Sequence, residues 1–314
     1  MMKQPYKVLV IYGGTSTERE ISLLSGQAVA EGLEEAGYEV ERFDLCKDNL
    51  TDLSHCHPDV VFPVLHGKGG EDGTIQGYLE LLGLPYVGSK VAGSAICIDK
   101  ILTKRMLRGA NLPTAPFVVC KPSEILNGGG KSNDVIVPPC VVKASRQGSS
   151  IGTVIVKHEA DLSKSLQEVA KYGDDILIEK FLAGMEISVP VMRIDQQVRA
   201  LPIIEIIPAS AYYDYHAKYT AGQSQHVIPA RLSETTRKQV EEYAVKAYDV
   251  CQCDGVARID FIVENEIPYI LEINTIPGMT LFSLVPDSAK VAGYGFPQLV
   301  DLLVKTALPV GGRP

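Results

Sequence analysis

The sequence predicts a mixed α/β and α+β fold with an open parallel α/β unit at its N-terminus. Three observations carry this prediction. Apolar β-branched runs alternate with helical spacing over residues 1–98, and shorter strands around one helix follow over residues 99–181. A long helix and a hairpin mark residues 182–314. These changes in pattern predict three domains with those boundaries, since each pattern is typical of a separate layered unit.

The N-terminal unit alternates strands and helices in the order expected of a parallel sheet. Predicted strands cover residues 7–12, 38–43 and 60–65, and predicted helices cover 18–36 and 74–82. The first strand ends in Gly13-Gly14, where the chain must turn sharply before its helix. Loops at the carboxyl ends of such strands are the usual positions of ligand sites.

The rest of the chain predicts two further α+β units. In the central unit the predicted helices are 99–108 and 161–172, and the predicted strands are 117–120, 140–143, 153–157 and 176–180. In the last unit we expect strands at 186–192 and 198–207, a polar loop at 210–225, a helix at 234–250, a hairpin at 255–274 and a helix at 296–303.

Composition and charge exclude several classes of function. The 314 residues are 46% hydrophobic and 22% charged, which is typical of a globular protein, and the net charge of −8 argues against a nucleic-acid partner. No apolar run reaches the length of a membrane span, and the run at residues 8–12 is too short for a secretion signal, so we expect a cytoplasmic protein. Seven cysteines without a CxxC motif predict reduced, mostly buried thiols. His55-Cys56-His57 is interpreted as a surface turn, because no second ligand pair accompanies it.

The predicted hairpin carries the strongest local signal for chemistry. If it turns near Glu266, Asp260 lies opposite Glu272, and Arg258 and Asn274 share the same face by the two-residue period of strands. Two adjacent carboxylates repel each other unless a cation lies between them, and an oxygen-only ligand set favours Mg²⁺. The alternative is an ordinary solvated hairpin with surface charge.

Two segments of the central unit indicate a nucleotide site. Residues 143–152, KASRQGSSIG, join two strands, so small residues could bring backbone N–H groups close to phosphates while Lys143 adds positive charge. Within LIEKFL, Glu179 could accept a hydrogen bond from an adenine amine, and Glu186 beyond it could hold ribose hydroxyls. Each segment alone also fits a plainer structure, a surface turn or a buried strand with a charged connection.

A glycine-framed polar loop, HGKGGEDG, occupies residues 66–73 between a predicted strand and a helix. Charged side chains on such a frame pack poorly, so a binding loop is favoured over a plain turn. By contrast, residues 125–133 only mimic the end of a phosphate-binding P-loop, because Ile125 stands where that motif requires glycine. We interpret that stretch as a surface loop.

Taken together, these motifs resemble the D-alanine–D-alanine ligases of the ATP-grasp superfamily, in order and over nearly the whole chain. The stretch at residues 66–77 is the most specific to that family, whereas the RID…EIN hairpin is shared more widely among ATP-grasp enzymes. The matching stretches are GGTSTEREIS (13–22), HGKGGEDGTIQGYLELLGLPYVGS (66–89), DK (99–100), KASRQGSSIG (143–152), LIEKFL (177–182), YDYHAKY (213–219), GVARIDF (255–261) and LEINTIPGMTLFSLVP (271–286).

The resemblance implies a three-domain ATP-grasp fold that uses ATP and two Mg²⁺, for which Mn²⁺ can substitute, to join two D-alanines through an acyl-phosphate for peptidoglycan precursor synthesis. It also implies a homodimer. Residues implied to bind phosphates, adenine or ribose are Lys100, Lys143, Ser150, Glu179, Lys180, Phe181, Leu182, Glu186, Lys218, Ile262 and Leu271. Implied metal ligands are Asp260, Glu272 and Asn274. Residues implied to act on the amino acids are Glu18, His66, Ser149, Tyr219, Arg258, Gly278, Ser283 and Leu284.

The resemblance further implies that residues 210–225 form a lid, in which Tyr219 closes onto Glu18 and Ser149 and favours D-alanine over D-lactate as acceptor. Ala144 departs from the proline of the family pattern, which puts the stiffness of the flap in doubt but removes no ligand.

Three rival functions come from different classes. Against another ATP-grasp ligase stand Glu18 and the loop at residues 66–73, which match the D-alanine–D-alanine ligases. A regulator without catalysis would be expected to have lost a metal ligand, whereas Asp260, Glu272 and Asn274 are all present. A dinucleotide oxidoreductase would need a GxGxxG turn after the first strand, which the sequence does not contain.

Overall fold

The computed structural model describes residues 6–126, 136–148, 151–208 and 224–308. Within these ranges the strands form three sheets, one parallel and two antiparallel, each covered by helices. The predicted combination of a parallel α/β unit with antiparallel α+β units is confirmed.

The N-terminal sheet has the parallel order β2-β1-β3. Its strands are β1 (Lys7–Gly13), β2 (Glu39–Leu45) and β3 (Val60–Pro63). Helix α1 (Arg19–Glu35) packs on β1 and buries Val29 and Leu33, which lie on one face of the helix. As the sequence predicts, the segments that follow β1 and β3 meet at one edge of the sheet.

Three short helices lead from this sheet into the rest of the chain. Helix α2 (Thr74–Leu81) follows the glycine-framed loop, α3 (Val91–Ile98) was not predicted, and α4 covers Lys100–Gly109. The predicted helix start at Asp99 is one residue early. Asp99 is the N-cap, and its carboxylate accepts the N–H groups of Ile101 and Leu102.

The central sheet has the order β4-β7-β5-β6 with antiparallel neighbours. The elements are β4 (Phe117–Cys120), α5 (Pro122–Leu126), β5 (Cys140–Ala144), β6 (Thr153–Val156), α6 (Glu159–Ala170) and β7 (Ile176–Lys180). Fully buried Val142 and Ile176 lie in its core beneath α6. The sheet therefore places Lys143 and Glu179 on neighbouring strands.

The third sheet has the order β11-β10-β8-β12-β13, with β9 paired to β8. Its elements are β8 (Met185–Ile194), β9 (Gln197–Ala200), β10 (Ile204–Pro208), β11 (Ser224–Val227), α7 (Glu234–Val250), β12 (Val256–Glu264) and β13 (Ile267–Asn274). The prediction of one strand over residues 198–207 is wrong. The chain divides around Pro202, which has no N–H to give to a sheet ladder.

The hairpin has the register that the sequence predicts. Asp260 pairs with Glu272 and Arg258 with Asn274. One detail differs: a bulge follows Asp260, so that Phe261 pairs with Ile270 and not with Leu271. Ile270 is fully buried and Leu271 only half-buried, because the bulge turns Leu271 away from the buried face.

Two C-terminal helices close the structure over the N-terminal sheet. They are α8 (Leu284–Val291) and α9 (Phe296–Ala307), which runs four residues beyond the predicted end at Leu303. Gly32 of α1 lets the Phe296 ring approach, since a Cβ there would lie 2.8 Å from the ring. None of the helices in the described ranges combines the length and hydropathy needed to cross a membrane. All seven cysteines are free thiols and five are buried, and His55-Cys56-His57 ends a surface 3₁₀ turn, as expected.

Candidate active site

A cavity of about 770 Å³ lies between the N-terminal unit and the third sheet. It brings together predicted residues that are far apart in the chain. Those lining it are Glu18, His66, Lys100, Arg258, Glu272, Asn274, Gly278, Ser283 and Leu284. One wall is therefore built from loops at the edge of the parallel sheet and the opposite wall from the hairpin.

Glu18 forms the acidic end of the cavity. Its side chain is buried, at the N-cap of α1. A Cβ on Gly67 would lie 2.8 Å from its Oε2 and one on Gly148 would lie 3.0 Å away, so the carboxylate touches both loops. Ser16 fixes this arrangement by donating its hydroxyl to the His66 carbonyl at 2.7 Å. A carboxylate presented in this way can receive an ammonium group.

His66 and Glu71 are buried beside Glu18. Burial lowers the pKa of His66 to about 4, so the imidazole is neutral at neutral pH. Burial and then the Glu18 carboxylate raise the pKa of Glu71, whose Oε2 accepts the Gly67 N–H at 2.7 Å. Glu71 is a residue that the sequence analysis did not single out, although it lies inside the loop that was predicted to bind.

The hairpin presents Asp260 and Glu272 side by side. Arg258 donates two hydrogen bonds to Asp260, from Nε to Oδ1 at 2.9 Å and from Nη2 to Oδ2 at 2.7 Å. Ser188, on neighbouring β8, donates to Asp260 Oδ1 at 2.5 Å. Glu272 lies 3.4 Å from Lys100 Nζ. Each carboxylate thus has a cation next to it while the two face the same space.

These residues suit a hard divalent cation. Among the described residues no group of three or more His, Cys, Asp or Glu side chains is arranged around one point, so the hairpin supplies two carboxylates and one amide. Asn274 Oδ1 accepts the Ile276 N–H at 3.0 Å, which fixes the side chain and leaves the oxygen a second lone pair. Mg²⁺ typically takes one or two carboxylates and completes its shell with water and substrate phosphate. The set fits such an ion.

Lys100 connects the hairpin with the flap at residues 143–152. Its Nζ donates to the Gln147 carbonyl at 2.7 Å as well as lying near Glu272. Arg146 pairs with Asp99 at 2.9 Å, which joins the flap to the start of α4 a second time. The flap is therefore fixed against the cleft by charged side chains next to the hairpin.

Glu179 lies between two lysines in the central sheet. Lys143 contacts Oε1, and Lys104 Nζ lies 2.8 Å from Oε2 at an angle outside that of a regular hydrogen bond, so the second contact is chiefly an ion pair. The carboxylate is 2% exposed. Burial alone would raise the pKa of Glu179, but attraction to Lys104 and Lys143 outweighs burial and lowers it to about 2.

The linker from β7 to β8 carries most of the remaining nucleotide residues predicted. Lys180 Nζ lies 3.4 Å from Glu264, which also accepts the Ala183 N–H at 2.7 Å. Leu182 is buried, Phe181 is half-buried, and Glu186 pairs in register with Ile262. The linker is thus fixed to the hairpin, and half-buried Leu271 follows on the adjacent strand.

Gly278 and Ser283 form the end of the cavity at helix α8. A Cβ on Gly278 would lie 2.9 Å from Ser283 Oγ, so only glycine allows this approach. Ser283 is the N-cap of α8, with its Oγ 2.8 Å from Thr280 Oγ1, and Leu284 begins the helix. A helix of this length presents free N–H groups at its start, which suits a carboxylate.

Four predicted residues lie outside the described ranges: Ser149, Ser150, Lys218 and Tyr219. The predicted lid at residues 210–225 lies almost entirely outside them, as does most of the P-loop mimic at 125–133.

Besides Glu71, Lys104 and Ser188 contact predicted site residues but are not recognisable in the sequence. In the sequence Lys104 resembles an ordinary exposed helix lysine, yet in the structure it is completely buried. Its only sequence signal is its position four residues after Lys100 on α4. Ser188 alternates with apolar residues on a strand, where nothing marks it as a partner for a carboxylate.

Comparison with protein families gives two matches that cover most of the chain. The family described as "D-ala D-ala ligase C-terminus" matches residues 106–305. The family described as "D-ala D-ala ligase N-terminus" matches residues 46–89.

Relatives and solved structures agree with these families. A D-alanine–D-alanine ligase of Moorella thermoacetica is 45% identical, over 96% of this chain and 99% of the relative. One of Desulforamulus reducens is 42% identical, over 96% and 98%. The crystal structure of the Bacillus anthracis D-alanine–D-alanine ligase complexed with ATP matches with a TM-score of 0.81 and 32% identity, over 98% of each chain.

Proposed function

Because this chain belongs to the D-alanine–D-alanine ligase family, we propose that its cavity joins two D-alanines with conversion of ATP to ADP and phosphate. The product serves as a peptidoglycan precursor. One observation supports this most directly: buried Glu18, on the N-terminal wall, and Arg258 with Glu272 of the hairpin, on the other, line the same cavity. An ammonium group and a phosphorylated carboxylate can therefore be held together in it.

The three-domain division at residues 1–98, 99–181 and 182–314 fits this role. ATP would lie between the central and third sheets. Glu179, Lys180 and Leu182 would hold the base, packed against Phe181, Ile262 and Leu271, while Glu186 would hold the ribose. Lys100, Lys143 and the flap would hold phosphates, with Ser150 and Lys218 contributing from outside the described residues.

Asp260, Glu272 and Asn274 would hold two Mg²⁺, or Mn²⁺, which when bound neutralise the charge of the transferred phosphoryl group. Lys100 next to Glu272 and Arg258 on Asp260 keep the carboxylates oriented. Phosphoryl transfer needs charge neutralisation and alignment more than covalent help, and these residues supply both.

The first step activates a carboxylate. Glu18 would bind the ammonium of the first D-alanine. The carboxylate oxygen of that D-alanine then attacks the γ-phosphorus of ATP. An O–P bond forms, the bond to the β-phosphate oxygen breaks, and ADP leaves. The resulting acyl-phosphate hydrolyses readily, which explains why the site lies in a cleft and not on an open surface.

The second step forms the peptide bond. Ser283 and Leu284, at the start of α8, would hold the carboxylate of the second D-alanine near His66. Its amine attacks the acyl carbon, and Arg258 with the Gly278 N–H would stabilise the tetrahedral oxyanion. As that intermediate collapses, the bond between the acyl carbon and the phosphate oxygen breaks, the departing phosphate takes up the proton that the amine loses, and the dipeptide remains. Ser149 and Tyr219, outside the described residues, would close the site with Glu18.

An assay of ADP release tests this function against its rivals. The purified chain is incubated with ATP and Mg²⁺ and with D-alanine, L-alanine or D-lactate as the added acid. We expect ADP only with D-alanine, with dipeptide and phosphate in equal amounts, and little depsipeptide when D-lactate competes. ADP release that needs a different acceptor would indicate another ATP-grasp ligase, and nucleotide binding without any ADP release would indicate a regulator.

We also propose a cytoplasmic homodimer, which rests on the family resemblance; Leu81, on α2 of the N-terminal unit, is 88% exposed and offers a position at which to test the dimer. Light scattering on the purified protein measures the oligomeric state, and Leu81→Glu should shift a dimer toward monomer.

A further inference from the structure

Three buried charged side chains, Lys104, Glu179 and Lys143, form a cluster that we call the buried charge triad. They come from α4, β7 and β5, and the two lysines contact different oxygens of one carboxylate. The proposed function uses Glu179 and Lys143, but it leaves Lys104 without a role. Burying a charged lysine completely costs desolvation free energy, and a role for Lys104 in the site would account for its position.

We propose that Lys104 is a positioning residue that holds Glu179 as an ionised acceptor for a 6-aminopurine and thereby releases Lys143 to the phosphates of the nucleotide. The inference rests on the proposed function, because it takes Glu179 to face the base.

The two lysines differ in their freedom to move. Lys104 has no exposed side-chain surface, and its Nζ also donates to Thr114 Oγ1 at 2.7 Å. Thr114 in turn donates to the Ile270 carbonyl at 2.8 Å, which ties Lys104 to the hairpin sheet. Lys143 is 12% exposed. Of the two lysines, only Lys143 can therefore turn from Glu179 to a phosphate, while Lys104 stays beside the carboxylate.

The electrostatic surroundings of Lys143 support this exchange. Besides Glu179, the carboxylates of Glu272 and Glu186 attract it and raise its pKa, although burial opposes them. Lys143 is thus charged and lies toward the hairpin, where phosphates are proposed to bind. For Lys104, burial outweighs these attractions and lowers the pKa, as expected of a group enclosed by protein.

A count of charges shows what Lys104 changes. Two lysines and one carboxylate leave the triad with one net positive charge, which favours a polyanion at its open side. Without Lys104, Glu179 and Lys143 would neutralise each other. Movement of Lys143 toward phosphate would then leave Glu179 buried without a partner, and a buried lone carboxylate tends to take up a proton.

Protonation of Glu179 would change which base it accepts. An ionised carboxylate only accepts hydrogen bonds, so it pairs with the 6-amino group of adenine and repels the 6-oxo group of hypoxanthine. A carboxylic acid can donate, and it would lose this discrimination. Lys104 therefore acts on the choice of base through Glu179, without touching the nucleotide.

The experiment measures equilibrium binding of ADP and IDP, in the presence of Mg²⁺, to the wild-type protein and to Lys104→Met. Methionine keeps the length and shape of the side chain but removes its charge. Binding to ADP and IDP requires no amino-acid substrate, so the result does not depend on turnover. Lys90→Met is the control for loss of a lysine charge, since Lys90 is an exposed lysine at the N-cap of α3, outside the triad, where its Nζ donates to the Tyr86 carbonyl.

We expect the wild type and Lys90→Met to prefer ADP, and Lys104→Met to lose about 10- to 100-fold of that preference, the range for a hydrogen bond to a charged group. The pair Glu179→Gln and Lys104→Met/Glu179→Gln completes a cycle. Because Lys104 acts through Glu179, its loss should change the preference little when Glu179 is already glutamine. The double variant also removes the buried carboxylate that Lys104→Met would leave with Lys143 as its remaining lysine partner, so it guards against a single variant that fails to fold.

Thr114→Val gives an independent reading, because it removes the hydroxyl that holds Lys104 Nζ and leaves all three charges. A partial loss of ADP preference, about threefold, is expected, because only the hydrogen bond that orients Lys104 is lost. Equal weakening of ADP and IDP in Lys104→Met, or an unchanged preference in both Lys104→Met and Thr114→Val, would overturn the role of Lys104. A wild type that binds both nucleotides equally would instead contradict the placement of adenine at Glu179.

Discussion

The hairpin β12–β13 and the buried charge triad place carboxylates in the nucleotide half of the cleft in two different ways. In the hairpin, Asp260 and Glu272 face each other because strand register puts them there. In the triad, Glu179 meets Lys104 and Lys143 only because three separate elements pack together. Local geometry is enough for the first arrangement, whereas the second exists only in the folded protein.

Exposure separates the two regions as well. Glu272 retains 31% of its side-chain surface, whereas Glu179 retains 2%. Glu272 thus keeps room for a ligand, and the triad is mostly satisfied by its own members. We therefore expect substitutions in the hairpin to act on the chemical step, and substitutions of buried groups to act on affinity and stability.

The largest effect should come from Glu272→Gln in the hairpin. Loss of one carboxylate removes charge from the proposed metal site, and we expect kcat to fall by at least about 100-fold. Circular dichroism should be unchanged, because the side chain is not part of the core. Glu241→Gln, on exposed α7, is the matched control and should behave as wild type. Near-normal turnover of Glu272→Gln would mean that the catalytic charge lies elsewhere.

Glu18→Gln tests the opposite wall of the cavity. The amide is isosteric but cannot balance an ammonium, so the KM for D-alanine should rise about 10- to 100-fold while the KM for ATP stays the same. Initial rates with each substrate varied in turn separate the two constants. Glu20→Gln lies two residues away on exposed surface and serves as control. A change confined to the KM for ATP would argue against an ammonium site at Glu18.

Ser188→Ala tests whether the orientation of Asp260 in the hairpin depends on a side chain of the neighbouring strand β8. Ser188 donates to Asp260 Oδ1 at 2.5 Å, and partners of metal ligands commonly affect metal affinity by about 10-fold. The Mg²⁺ concentration for half-maximal activity should rise by about that factor, with little change in the KM for D-alanine. Ser165→Ala, whose hydroxyl donates to the Asp161 carbonyl within α6, provides the comparison. An unchanged Mg²⁺ dependence would show that register alone orients Asp260.

The smallest effect concerns the pH dependence of stability in Glu71→Gln. The folded state raises the pKa of Glu71 above its ordinary value of 4.5, so it holds a proton that the unfolded chain has released. This contribution is fully present below pH 4.5 and is lost as pH rises toward the raised pKa, by at most about 1.4 kcal/mol per pH unit. Glutamine has no such dependence. The Tm of the wild type should therefore fall relative to Glu71→Gln between about pH 5 and pH 8, and parallel curves would contradict the raised pKa.

Much of the fold followed from patterns within single segments. Strands β1, β2 and β3 and helix α7 were predicted from apolar spacing, and the loops at the sheet edge were expected to bind. Helix α3 was missed because its sequence, VAGSAICI, is apolar all round and shows no helical period. Its burial against neighbouring helices and β13 decides its structure, and that contact lies outside the segment.

The site divides in the same manner. The period of two placed Asp260 and Glu272 opposite each other in the prediction, but the two-residue turn alone would pair Asp260 with Leu271, and the bulge after Asp260 brings Glu272 opposite it. The sequence also marked Glu18, Lys143 and Glu179 through the motifs that contain them. The bulge that turns Leu271 out of the buried face, and the break at Pro202, were decided by how the strands pair.

Only the tertiary structure decided that Lys104 and Glu71 belong to the site. Lys104 has the sequence surroundings of an ordinary helix lysine, and the loop motif at residues 66–73 does not single out Glu71 among its charged residues. Burial makes their charges important for the site. Removing water strengthens every interaction with neighbouring charges and destabilises a charge that has no partner. Those neighbours lie on other elements, 75 residues away for Lys104 and Glu179 and 53 for Glu71 and Glu18. Periodicity describes which face of an element is buried, and it carries no information about which remote charge lies on the other side.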